Sequence, residues 1–362
     1  MNLLDKYLLK QFIKNFLTVN VAFASIYLLV DFIEKFDNFS RAGKSFGLAL
    51  EYFILNIPFI VDQLGPVLIL LSGVISLGIL NHTNELTALK AGGLPLRVII
   101  RPFLVGGIIL TLLMTAAAQW LLPTTVTRTN NIWYEQVKGK LPLGIYRSGR
   151  YYYKGSEGFY SFEWPDPKRY LFTNFSYSRW NEDYTVNALL AAKFAKWDSD
   201  DQEWILNHAQ LQKQRKNGEY IVRNNEYWQL PLPESPEDFL IPENETAELS
   251  LTGLFRDIGN KETASLKRQA WSDFLGRISY IFLGIPLLLL GLPILLISYK
   301  RWGRDLSVAI PTSCGLAFFA WGSWGTMQSL AIAGYLPPIA AAVSIHIIFS
   351  TIGIILLRRE DM

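Results

Sequence analysis

Apolar residues form long unbroken runs at both ends of the chain and vanish from its middle. Six windows, at about 12–36, 50–80, 98–122, 272–298, 306–327 and 337–357, each approach the roughly 20 apolar residues that a helix needs to cross a hydrocarbon core. The second window is too long for one straight span and contains Pro58 and Pro66. It reads either as a kinked helix or as an interfacial turn followed by a span from about Leu64 to Leu80. Lys6, Lys10 and Lys14 precede the first run, and Ala22-Phe23-Ala24 has the form of a signal-cleavage site. That run nevertheless continues through Ile26, Tyr27, Leu28, Leu29 and Val30, so it is read as a retained first helix.

Between Pro123 and about Ala270 the pattern changes to aromatic-rich segments separated by turn signals. These are Ser148-Gly149, Gly155-Ser156-Glu157-Gly158, Pro165-Asp166-Pro167, Asn181-Glu182-Asp183, Asp198-Ser199-Asp200-Asp201 and Asn217-Gly218. Such spacing predicts short antiparallel strands in a sandwich or barrel. The clearest strand has Tyr184, Val186, Ala188, Leu190, Ala192 and Phe194 at alternate positions, which share one face of a pleated strand. That face is either an ordinary sandwich core or a greasy trough for acyl chains; both have the same periodicity. The expected architecture is an α-helical membrane protein with six transmembrane helices, three plus three, and an inserted all-β domain. Helices 1–3 occupy 1–122, the insert with its helical connections 123–270, and helices 4–6 271–362.

Charge gives the layout a direction. Lys6, Lys10 and Lys14 precede span one; Lys90, Arg97 and Arg101 lie between spans two and three; Lys300, Arg301 and Arg304 lie between spans four and five; Arg358 and Arg359 follow span six. With alternating spans all four groups fall on one side, and the 329–336 loop carries no charge. The positive-inside rule then puts both termini in the cytoplasm and the insert outside. Lys35, Arg41 and Lys44 in the first outer loop run against that trend and need a reason. Half the residues are hydrophobic, as six spans require; the net charge of +3 is small for 362 residues and by itself says nothing about nucleic acid, and no nucleic-acid partner is expected. The single cysteine, Cys314, lies in an apolar run, and the three histidines are far apart, which argues against a metal site or a His-based triad. No cofactor is expected.

Most motifs fail on context. Ala42-Gly43-Lys44-Ser45 resembles the end of a phosphate-binding loop, but Asn38 stands where that loop needs its first glycine and no strand precedes it. Any ATP hydrolysis is therefore assigned to another chain. Asn38-Phe39-Ser40, Asn174-Phe175-Ser176 and Asn244-Glu245-Thr246 are sequons that chance explains. Asp62, Arg277 and His346 are the few ionisable groups inside spans, too few for a proton relay or a paired-helix secondary transporter.

The segment Asn81 to Gly93 carries more. Thr83 or Asn84 can cap a short helix, Glu85 suits its first turn, and Gly92-Gly93 stops it. Leu86 and Leu89, three apart, share a face. This cytoplasmic helix, about 84–91, is either a loop helix packed on its own membrane domain or a coupling helix inserted into a partner ATPase.

Leu4-Asp5-Lys6-Tyr7, then Glu85-Leu86-Thr87-Ala88-Leu89-Lys90-Ala91-Gly92-Gly93, then Gly334-Tyr335-Leu336-Pro337-Pro338, together with the three-plus-three layout, resemble the LptF/LptG (YjgP/YjgQ) permease family. The opening motif and the basic outer end of span one are closer to LptG than to LptF members. The resemblance implies a non-catalytic permease subunit of an ABC transporter in the Gram-negative inner membrane. Such a subunit extracts lipopolysaccharide from the outer leaflet and passes it to a periplasmic bridge through a jellyroll-like β-domain. Implied partners are lipopolysaccharide, a partner permease LptF, a dimeric LptB-type ATPase, LptC and LptA-type bridge proteins, and membrane lipids.

The resemblance also assigns roles. Glu85, with Leu86 and Leu89, falls at the ATPase-coupling site. Lys35, Arg41 and Lys44 fall near the lipid headgroup. Arg41-Ala42-Gly43 matches the family's basic-Ala-Gly run, whereas Ser40 and Glu34 stand where lysine is common. Val186, Leu190 and Phe194 are candidates for the acyl path, and Gly315, Gly322 and Gly325 of span five for the lateral gate. The competing reading is an anchored scaffold whose β-domain docks a periplasmic partner without transport. A membrane enzyme has no visible nucleophile–base set.

Overall fold

The computed structural model describes residues 2–138, 145–147, 150–155, 157–166, 171–181, 185–198, 202–215, 219–239, 245–261, 264–302 and 306–361. Tyr184, Arg304, Asn244 and the turn positions 148–149, 156, 167, 182–183, 199–201 and 217–218 lie outside the described residues. The chain forms two compact units: Met1–Ser40, Ser45–Thr129 and Asn244–Met362 in one, Arg41–Lys44 and Asn130–Glu243 in the other.

The first unit is helical, with α1 (Leu3–Arg41), α2 (Phe46–His82), α3 (Glu85–Ala91), α4 (Leu96–Asn130), α5 (Glu245–Glu248), α6 (Leu251–Asn260), α7 (Ala264–Phe282), α8 (Gly284–Trp302), α9 (Leu306–Ile332) and α10 (Pro338–Asp361). Among the described residues five segments are long and apolar enough to cross a membrane: Leu3–Arg41, Phe46–His82, Leu96–Val137, Ala264–Tyr299 and Pro338–Glu360. The sixth expected span corresponds to α9, 27 residues long, which is not among these five. Helix α2 runs unbroken through Pro58 and Pro66, with Ser45 capping it by accepting from the Leu48 N–H. The fourth span is split between α7 and α8 at Leu283. Pro286, in the first turn of α8, offers no N–H to the Phe282 carbonyl, so the ladder restarts there.

In lipid, helices gain little from apolar burial alone and associate through close packing. A Cβ at Gly73 of α2 would collide with Leu288 of α8, and one at Gly291 of α8 with Leu70 of α2. Gly353 of α10 lies against the α8 backbone, 2.8 Å from where its Cβ would stand to the Leu289 carbonyl oxygen. Helix α1 joins through Leu8, Phe12, Phe16 and Val19, a stripe at helical spacing. Phe12 seats on Gly106 of α4 and its ring lies 5.9 Å from that of Phe103. The opposite face of α1 leaves Leu17, Val21, Ile26, Leu29 and Ile33 exposed.

The second unit is a seven-stranded antiparallel sheet paired strictly in chain order: β1 (Ile145–Arg147), β2 (Arg150–Lys154), β3 (Phe159–Asp166), β4 (Leu171–Trp180), β5 (Val186–Asp198), β6 (Glu203–Gln214) and β7 (Tyr220–Leu230). Its core is aromatic. Tyr160, Phe162, Phe172, Phe175 and Trp204 are almost fully buried, and Phe239 from the turn Pro236–Phe239 packs among them. The Phe175 and Trp204 rings stack at 4.9 Å, and those of Phe162 and Phe239 lie 4.8 Å apart. Buried among these rings, the Tyr160 hydroxyl has its pKa pushed far above the usual phenol value, with nearby Glu234 acting in the same direction.

The alternation of β5 holds as far as Leu190 and Ala192, both buried, and then slips by one so that Ala195 is buried next. The cause lies on the neighbouring strands. Asn174 of β4 and His208 of β6 have positive φ, 49° and 51°, and both are skipped in the pairing beside Lys193. The register is the same on either side of both residues, so these left-handed positions interrupt the pleat without adding a residue, and the inward face turns over across the row.

The glycine contacts define a test. Gly73→Val should destabilise the purified chain by about 1–3 kcal/mol through overpacking against Leu288. Gly315→Val, which meets open space, should change stability by less than about 0.5 kcal/mol. Thermal unfolding in detergent compares them, and equal losses would reject Gly73 as a packing point.

Candidate coupling and headgroup sites

Helix α3 is set by its ends. Asn84 adopts a left-handed conformation (φ 62°) and makes no side-chain cap bond, Gly92 closes the helix, and Gly93 turns the chain at φ 81°, where a side chain would be strained. Leu86 is buried at 3 % exposure in the same core cluster as Leu8, Leu80 and Phe103, and half-buried Leu89 packs against it. The predicted ridge therefore holds the helix on its own unit. Thr87, Ala88, Lys90 and Ala91 form the exposed face.

Both carboxylate oxygens of Glu85 are held. Tyr7 of α1 donates its hydroxyl to Oε2 at 3.0 Å, and the Thr83 hydroxyl at the end of α2 lies 3.0 Å from Oε1, its one proton shared with the Ile79 carbonyl oxygen at 3.0 Å. The carboxylate thus ties the first helix to the end of the second. Thr83 was legible as a polar neighbour, but its bond to Glu85 was not. Tyr7 was legible only as part of the opening motif, because its partner is 78 residues away.

The basic residues at the outer end of α1 differ in state. Lys35 Nζ lies 2.7 Å from Asp31 Oδ1 and donates to the Tyr52 hydroxyl at 2.6 Å. Asn56 donates to the other Asp31 oxygen at 3.3 Å. Asp31 is buried to 7 % exposure, so Lys35 neutralises an otherwise costly charge. Arg41 ends α1 and Lys44 precedes the α2 cap; both are exposed. Asp31, Tyr52 and Asn56 were not singled out from sequence. An acid four residues before a lysine on a helix is the signal that could have found the first of them.

In the β unit, Leu190 belongs to the aromatic core, whereas Val186 and Phe194 are half-buried. On α9, Cβ atoms at Gly315, Gly322 and Gly325 would meet nothing within 4 Å. The helix packs instead through Ser313, Ala317, Ala320 and Gln328, and its glycines are open to another helix.

The sequence model of the lipopolysaccharide export system permease LptF/LptG matches residues 6–359. The chain belongs to the LptF/LptG family. No curated protein matches it. As an LptF/LptG permease it is a lipopolysaccharide export permease, a non-catalytic transport subunit and a multi-pass inner-membrane protein. Among the described residues, two ionisable groups singled out within the spans have partners in the chain: Arg277 donates to Asp62 at 2.8 Å, and His346 shares a 3.0 Å hydrogen bond with Ser279.

If Lys35 neutralises Asp31, Lys35→Met should cost about 1–3 kcal/mol, less than a fully buried pair because the ammonium is partly exposed. Adding Asp31→Asn should recover most of that loss. A double-mutant cycle by thermal unfolding checks this, and unchanged stability in Lys35→Met would leave the lysine with no structural role.

Proposed function

We propose that this LptF/LptG chain is the LptG-like half of an ABC transporter that extracts lipopolysaccharide from the outer leaflet of the inner membrane. It works with a partner permease LptF on a dimeric LptB-type ATPase, and LptC and LptA-type proteins carry the lipid onward. The flanking charges support cytoplasmic termini and a periplasmic β unit. The observation that carries the reading is the state of Glu85: a carboxylate on a short cytoplasmic helix, bonded to both α1 and the end of α2. A displacement of α3 by an ATPase reaches two spans directly through this one side chain, and Leu86 transmits it to the core.

At the outer end, Arg41 and Lys44 meet the lipid phosphates first, because charge-assisted bonds to phosphate need uncommitted cations. Lys35 joins only by exchanging Asp31 for phosphate. The open glycines of α9 form one side of the lateral gate, and half-buried Val186 and Phe194 border the acyl path in the β unit.

The test is reconstitution with partner permease and ATPase. Glu85→Ala should lower ATP-driven lipopolysaccharide release roughly tenfold or more, since it removes the Tyr7 hydrogen bond to a carboxylate, ~1.5–3 kcal/mol, together with the shared Thr83 contact. Tyr7→Phe removes only that hydrogen bond and should cost roughly 2–10-fold. Full release by Glu85→Ala would sink the coupling role.

A further inference from the structure

The face of α1 that turns away from the core changes character along its length. Leu17 and Val21 are exposed on it, and before them come Lys6, Lys10 and Lys14, all exposed as well. The three lysines follow at steps of four, so they form one row on the helix surface. Leu17 lies three residues beyond Lys14 and Val21 four beyond Leu17, which makes the apolar strip a continuation of that row.

No group of the chain answers these lysines. Among the described residues none of the three ammonium groups has an ion pair or a hydrogen bond. Asp5, the acid nearest to them in sequence, accepts from the Asn2 N–H at 3.0 Å. Lys35, at the far end of the same helix, is the opposite case, held between Asp31 and the Tyr52 hydroxyl. Helix stability does not explain the row either, because Lys6 stands in the first turn, where the dipole favours acids over bases.

Position and number select the partner. An uncommitted row of cations that runs into a lipid-facing strip suits a molecule with an anionic head and apolar tails. An acidic protein segment would meet the lysines but leave the strip bare. From Lys6 to Lys14 the helix axis advances ~12 Å, at about 1.5 Å per residue. A single phosphate at that spacing reaches two neighbouring ammonium groups, whereas two phosphates joined through one glycerol reach all three.

We propose that the row Lys6, Lys10 and Lys14 binds one anionic phospholipid carrying two phosphates, of the diphosphatidylglycerol type, with its acyl chains along Leu17 and Val21. The proposal needs only that α1 spans the bilayer, and is independent of what the chain exports.

The full-length chain, delipidated in detergent, is titrated separately with diphosphatidylglycerol, phosphatidylglycerol and phosphatidylethanolamine, and adducts are counted by native mass spectrometry. One diphosphatidylglycerol should be retained, with roughly tenfold preference over phosphatidylglycerol and a larger one over phosphatidylethanolamine. Lys10→Gln, in the middle of the row, should weaken that retention roughly tenfold, as for the loss of one charged hydrogen bond. Lys10→Arg keeps the charge and should preserve it. Arg358→Gln removes the same charge from the exposed end of α10 and should leave retention unchanged. If Lys10→Gln fails to fold or insert, Lys14→Gln carries the test. Equal retention of the two anionic lipids, preference for phosphatidylethanolamine, no retained lipid, retention that a folded row variant leaves unchanged, or an equal loss in Arg358→Gln would each overturn the proposal.

Discussion

The side chain of Leu288 occupies the space that a side chain at residue 73 would need, and that contact is what makes two helix groups into one body. Lipid tails are as apolar as leucine, so burial alone gives α2 and α8 no reason to associate. Close approach does, and the glycines permit it in both directions: Leu288 over Gly73, Leu70 over Gly291, Ile69 against Gly284. Helices from opposite ends of the sequence thereby share a core. The other contacts are built on this pair. Helix α10 joins α8 at Gly353, α1 and α4 join each other at Gly106, and Leu86 plugs α3 into the same cluster.

How far the sequence could reveal this depends on the range of the signal. Apolar runs are local, so five membrane-crossing segments were legible at nearly their observed positions. Helix α9 was legible as a helix as well, from the apolar window at 306–327. The break at Leu283 had a local sign in Pro286 that length alone conceals. In the β unit the alternation of Leu190 and Ala192 was readable. The slip after Lys193 was not, since it arises from left-handed residues on two other strands. The same distinction runs through the site. The bounds of α3 were encoded by Glu85 and the two glycines beside it. Its tether to Tyr7, and the burial of Asp31 under Lys35, depend on contacts that exist only after folding.

The polar groups among the spans divide by how completely they are satisfied. Asp31 has Lys35 on one oxygen and Asn56 on the other, so the cluster fastens α1 to α2. Asp62 and Arg277 also pair, but the guanidinium Nε remains unpartnered beside other unsatisfied groups. A satisfied network in a low-dielectric setting rigidifies, whereas an incompletely satisfied one carries a free-energy cost. The two arrangements therefore differ in what they contribute, although sequence presents both simply as an acid and a base within apolar runs.

Glu85 stands between these cases. Both its oxygens are bonded, yet it is only half-buried and its partners are neutral hydroxyls. Hydroxyl donors hold a carboxylate in place without neutralising its charge, so it keeps a charge for a cationic partner to meet. A lysine or arginine in place of Tyr7 would hold the carboxylate more firmly and cancel much of that charge. The neutral pairing thus does two things at once: it links α1 to α2 within the chain, and it leaves the helix end electrostatically open to whatever drives it.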